Sequence, residues 1–148
     1  LEIQNEKAEQ EQQTVPVFAY ELLRDIFMPE VLGKHTPDVL YWGGKTIARK
    51  FPLMSQEEII SFFQEAAWGD LSLIEQKRNE ATFELSGELV SRRLEIKSDI
   101  SFKLEAGFLA EQLQNQKKVL AEATDELHKR SKTIKILVRW DQKESILE

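Results

Sequence analysis

Catalysis and ligand capture need a nucleophile, a poised acid or base, a metal cage or a phosphate cradle. The sequence has no Cys, which removes thiolate nucleophiles, Cys-held zinc, Cys acylation and disulfides together. Its two histidines, His35 and His128, have no His partner at helical spacing, and no clustered Asp loop is present, so a zinc or calcium site lacks its ligand set. His35 follows a helix terminator and His128 lies in a charged turn, where exposed imidazoles are expected. Glu105 and Glu111 could in principle supply an acid or base, but six positions apart they do not share a helical face, and solvated positions are expected for both. Gly43-Gly44-Lys45-Thr46 ends like a phosphate loop, yet it lacks the upstream Gly at the right spacing and the preceding strand. We therefore assign no catalytic and no metal-binding residue, and expect neither a cofactor nor an enzyme.

Small and aromatic residues remain. Gly43, Gly44 and Gly107 fall inside helical patterns, where Gly costs roughly 1 kcal/mol relative to Ala. One reading is that they let two helices, or a helix and the sheet, approach closely. The other is that the missing side chains leave room for an apolar ligand, with Trp42, Trp68 and Phe108 as walls. Spacing alone leaves both open. Lys129, Arg130, Lys132 and Lys135 form the one local basic cluster, around a turn and an outward strand face, and solubility accounts for it.

The elements that must position these residues follow from period. Pro16 precedes Phe18, Leu22, Leu23, Ile26 and Phe27, a spacing that places the large side chains on one helical face, with Pro29 bending or ending the helix and Gly33 terminating it. Thr36-Pro37-Asp38 starts a second helix to about Phe51, with Thr36 as hydroxyl cap and Leu40, Gly44, Ile47 and Phe51 on its apolar face. Pro52 stops it. Ser55 and Glu58 make a capping box for a third helix that buries Ile59, Ile60 and Phe63 and stops at Gly69. The period then changes from 3.6 to 2: Leu71 and Leu73 alternate, Arg78-Asn79-Glu80 turns, and Phe83 and Leu85 alternate again, giving an antiparallel hairpin. The stretch 87–101 suits a short strand or an irregular excursion. Phe102, Ala106, Leu109 and Leu113 mark a fourth helix, Val119 to Ala123 a third strand, and Ile134, Ile136, Val138 and Trp140 a last one.

Composition sets bounds. The chain has 148 residues, 41% apolar and 31% charged, enough to bury a core of one domain without a staple. The net charge of −6 is spread among interleaved signs, which argues against a nucleic-acid partner. No apolar run approaches a membrane span, and with no Cys a cytoplasmic location is expected. The chain opens on Leu1 with its first Met at Met28, so a trimmed start is expected, and Leu147-Glu148 reads as an appended pair. Residues 1–14 are expected to be a polar tail, 15–141 one α+β domain and 142–148 a second tail.

Four strings carry a family likeness: Asp38-Val39-Leu40-Tyr41-Trp42-Gly43-Gly44-Lys45, Trp68-Gly69-Asp70-Leu71, the run Leu104 to Glu111, and Val138-Arg139-Trp140-Asp141. They resemble the YslB-like family of small uncharacterised bacterial proteins, similar in fold to 4-vinyl reductase domains and to TRAPP small subunits, and the likeness spans about 15–141. The resemblance implies about four helices on one face of a roughly four-stranded antiparallel sheet, dimers made largely through helices and, in some relatives, a cavity for a hydrophobic molecule. The acylated Cys or Cys-held zinc of some relatives has no counterpart here, and neither histidine lies in the setting of a haem ligand. A non-catalytic interaction or scaffold domain that forms a homodimer through helical faces is the expected function, marked by exposed apolar residues on the first two helices. The alternative is a binder of a small hydrophobic molecule between helices and sheet, near Trp42, Gly43, Gly44, Trp68, Gly107 and Phe108.

Overall fold

The computed structural model describes residues 13–96 and 99–145, with side chains as far as Asp141. The tail expected over 1–14 lies outside the described residues as far as 12. The first helix, α1, is continuous over residues 17–32: α-helical at Val17–Glu21, π-helical at Leu22–Phe27 and α-helical again at Met28–Leu32. Pro29 does not end it. The Met28 amide reaches back to Leu23 O, and this wider turn makes room for a ring that would otherwise crowd the carbonyl four residues earlier. Gly33, at φ +57°, stops the helix.

Helix α2 is Thr36–Lys50. Thr36 is its first helical residue instead of its cap, and its hydroxyl donates back to Gly33 O at 2.6 Å. Helix α3 is Gln56–Glu65. Ser55 Oγ accepts from the Glu58 amide at 3.2 Å, as a capping box requires, but the Glu58 carboxylate takes the Met54 amide at 2.8 Å, one residue earlier than the box predicts.

The hairpin is β1, Asp70–Gln76, with β2, Glu80–Ser86. Residues 87–101 then supply what the sequence reading lacked, a fifth helix, α4, at Glu88–Ile96. Its buried positions are Val90 and Arg93, so a charged residue stands where an apolar one would have revealed the 3.6 period. Helix α5, Lys103–Lys117, leads into β3, Val119–His128, and β4, Thr133–Ser145.

The sheet is antiparallel in the order β1-β2-β4-β3. Ala81, Phe83 and Leu85 on β2 and Ile134, Ile136, Val138 and Trp140 on β4 are buried on one face, the period-2 pattern of a half-covered sheet. β4 continues to Ser145, which pairs with Val119 beyond an irregularity. Strand pairing needs only backbone, so the polar residues after Asp141, read as a tail, gave no side-chain signal for it.

Helix α5 lies on β3 and β4, and α2 packs along its outer side. Residues Glu105 to Leu113 of α5 are all buried. This includes Glu105, Glu111 and Gln112, so the solvated positions expected for the two glutamates are corrected: a helix enclosed on every side has no wet face to give them. Gln112 Oε1 accepts from the Leu53 amide at 3.0 Å while its Nε2 donates to Phe51 O at 2.8 Å, which satisfies a turn that Pro52 keeps from pairing with itself.

Candidate functional site

The six residues proposed to line a ligand site separate into three environments. Gly44 and Gly107 form the crossing of α2 on α5. A Cβ on Gly44 would collide with Leu104 O and the Phe108 amide, and one on Gly107 with Tyr41 O. The glycines therefore set the interhelical distance, and the space their side chains would fill is occupied by backbone. Gly43 is different, since a Cβ there meets only Leu104 Cδ1 at 3.7 Å. Trp68 and Phe108 are brought together, ring centroids 5.1 Å apart, with Phe62 stacked on Phe108 at 4.7 Å and Phe63 against Trp68 at 5.0 Å. These edge and offset contacts are those of a filled aromatic core. Trp42 is on the outer surface, 64% exposed. Cavities of about 460, 770 and 70 Å³ are lined by other residues.

The sequence puts the large apolar residues of α1 on one face, and exposed apolar residues on the first two helices are what a docking domain should show; the structure turns that face outward. Phe18, Leu22, Leu23, Ile26, Phe27 and Val31 are all exposed, Leu23 by 62% and Phe27 by 56%, whereas Glu21, Arg24 and Asp25 are buried. From Val15 to Pro29 those three are the only charged residues, so the whole outer surface of this segment is uncharged. The next helix adds Val39 and Trp42 to the exposed apolar residues.

The inversion has a structural cause on the inner side. Arg93 of α4 donates to both carboxylate oxygens of Asp25 at 2.8 Å, the bidentate geometry that only Arg supplies. Arg24 donates to Glu105 of α5 at 2.5 Å and to the Tyr20 hydroxyl at 2.8 Å. Arg93 also comes within 3.5 Å of Glu105, and Arg92 pairs with Glu21 at 2.6 Å. The set balances: Arg24, Arg92 and Arg93 against Glu21, Asp25 and Glu105. Burial works against the charge on Arg24, but Glu105 and then Tyr20 outweigh it and hold the guanidinium above its ordinary pKa. Burial raises the Tyr20 hydroxyl, against the pull of Arg24 and Arg93. Arg93 also lies 4.5 Å over the Phe102 ring.

The sequence signal that could have found this network is the charge order in α1. Glu21, Arg24 and Asp25 stand at i, i+3 and i+4 and so share a face, opposite the large apolar residues. Their partners, Arg92, Arg93 and Glu105, lie far along the chain and no spacing links them. Among the described residues, no cluster of His, Asp and Glu has the form of a metal site, and no helix is long and apolar enough to cross a membrane.

Tyr41 links α2 to the free edge of the sheet. Its hydroxyl accepts from the Ala123 amide of β3 at 2.9 Å and donates to Glu122, which Lys45 also holds at 2.8 Å. Gln114 of α5 takes the Ala121 amide at 3.1 Å. Together they occupy edge donors that would otherwise invite another strand. Burial, and then the bond to Glu122, push the Tyr41 hydroxyl well above its usual pKa. Burial opposes the charge of Glu122, yet the bonds from Lys45 and Tyr41 hold its carboxyl below the usual range.

Among the described residues, five helices and a four-stranded antiparallel sheet place the chain in a known α+β class. The structure superposes on a vinyl-4-reductase family protein from Methanocaldococcus jannaschii with a TM-score of 0.65, at 18% identity, over 88% of this chain and 85% of that one. At that identity the likeness is one of fold. A trafficking protein particle complex subunit 3 from Naegleria fowleri, covalently bound to palmitic acid, is more distant, with a TM-score of 0.43 at 10% identity over 88% and 92% of the two chains.

Within that class, residues 17–139 match the family described as "Protein of unknown function (DUF2507)", and the chain belongs to it. It is 43% identical over 129 residues to the uncharacterized protein YslB of Bacillus subtilis (strain 168), covering 87% of each chain.

Proposed function

We propose that the chain is a non-catalytic, cytoplasmic interaction domain that forms a homodimer through the outer face of α1. The observation that carries this is the orientation of that helix: its charges as far as Pro29 are consumed inside the fold, and the exposed side is apolar from Val15 to Pro29. Taking roughly 150–250 Å² for an aromatic side chain and somewhat less for an aliphatic one, the exposed apolar residues between Val15 and Trp42 present on the order of 800 Å². Monomers rarely leave an apolar patch larger than a few hundred Å² in water, and about 800 Å² per partner is what a standard specific interface buries. An uncharged apolar face is also complementary to itself, as a two-fold contact requires. The lack of Cys accords with a reducing compartment.

Sedimentation equilibrium tests the proposal. A dimer that Phe27→Glu converts to monomer, with the circular dichroism spectrum unchanged, is the expected result. A wild-type chain that stays monomeric at 100 µM and above overturns it.

A further inference from the structure

The same helix that presents the apolar face is held to the rest of the molecule in an unusual way. The backbone of residues 17–27 has its main contacts within α1 itself, and the closing turn of α1 meets α2 and the Gly33 turn. The ties across are side chains, most of them charged: Glu21 to Arg92, Asp25 to Arg93, Arg24 to Glu105 and to Ser101 O, with the Tyr20 ring packed against the core beside them. The seam is also incompletely filled. A cavity of about 460 Å³ lies along it, with Arg24, Asp25 and Pro29 on the helix side and Leu40, Ile100 and Ser101 on the body side. A joint between apolar surfaces loses free energy in proportion to the area rewetted when it opens. Opening this seam instead returns five buried charges to water, Arg92 being half exposed already, and hydration offsets much of the Coulomb attraction that is lost. At the far end stands Gly33, at φ +57° with nothing near its missing Cβ, a position where glycine gives the backbone wide conformational freedom.

We propose that α1 is a latched arm: it detaches at Gly33 as one unit from a body that stays folded, and the six-charge network is the latch. For the dimer the consequence, which rests on the docking reading above, is that latch and interface occupy opposite faces of one helix. Each stabilises the other. A freed arm of this length is marginal as a helix in water, so release also dissolves the shape of the docking face.

Native-state hydrogen exchange in low urea, on dilute wild-type protein, tests the latch. Amides of 17–32 should exchange through an opening with a smaller urea dependence than those of β2 and β4. Arg93→Met, which strands Asp25 and leaves Glu105 with Arg24 alone, should accelerate exchange in the arm by about 100-fold or more, and β2 and β4 by no more than the same factor, since global opening breaks the same network. Arm amides that exchange only by the opening that exposes β2 and β4 overturn the proposal, and because wild type gives that result by itself, a variant that fails to fold does not rescue the idea. Sedimentation of the same samples judges the docking reading separately: a chain monomeric throughout removes that reading, and the exchange result still decides the latch.

Discussion

Gly43 and Gly44 are neighbours in α2 and should answer the same methyl group with opposite signs. Replacing a helix-interior Gly by Ala gains about 1 kcal/mol of backbone propensity. At Gly43 that gain stands alone, because the new Cβ meets only Leu104 Cδ1 at 3.7 Å, an ordinary contact. At Gly44 the obstacle is the backbone of α5, at Leu104 O and the Phe108 amide, which cannot rotate away, so the helices must separate along their crossing. Overpacking of this kind costs about 1–3 kcal/mol, and a rigid obstacle puts the cost near the top of that range. The net is a loss of about 2 kcal/mol for Gly44→Ala, against a gain of up to about 1 for Gly43→Ala. In a chain of this length each kcal/mol moves Tm by roughly 2–4 °C. Thermal unfolding followed by circular dichroism should place Gly44→Ala about 4–8 °C below wild type and Gly43→Ala up to a few degrees above. Shifts of equal sign and size would refute the close-packing account and reopen the question of room for a ligand at this crossing.

Further predictions concern polar groups. Gln112→Leu keeps the bulk of a fully buried side chain but leaves the Leu53 amide and Phe51 O without their partner, so urea denaturation should show a loss of about 1–3 kcal/mol, and a loss below about 0.5 would count against the role given to that amide. Glu122 has a folded-state pKa held below its unfolded value. Its contribution is therefore present above the ordinary carboxylate pKa of about 4.3 and lost as pH falls through the lower folded value. The side chain is largely exposed, which limits the effect to under about 1 kcal/mol. Glu122→Gln should be less stable than wild type at pH 7 and converge on it as the folded carboxyl protonates at acid pH, and a difference that persists once it is protonated would contradict the assignment.

What the sequence disclosed depended on which residues the fold used as its core. The hairpin and β4 were legible because Phe83, Leu85, Ile134, Ile136 and Val138 alternate with polar neighbours, and the resulting face is the covered one. Helix α5 was legible from its apolar stripe, though that stripe understated it, since Glu105 and Gln112 are as buried as Leu109. Helix α4 was hidden because Arg93 occupies a core position. In α1 the period was legible and the direction was not: amphipathicity reports that two faces differ, and the buried one is ordinarily the apolar one. Here three charges on one face met three of opposite sign from α4 and α5, a pairing that needs the folded structure to be seen. The expected glycine and tryptophan site dispersed for a related reason. Gly44 and Gly107 did converge, but upon each other's helices, and Trp42 points into solvent.

The outward face of α1 can be read directly, because a chain without Cys accepts a single reporter thiol. Leu23→Cys should react with a small disulfide reagent at the rate of an exposed thiol in nanomolar protein, and more slowly as concentration rises into the dimer range. A thiol at that position that is unreactive at every dilution would put the apolar face inside, and would contradict both the inverted helix and the surface proposed to dock.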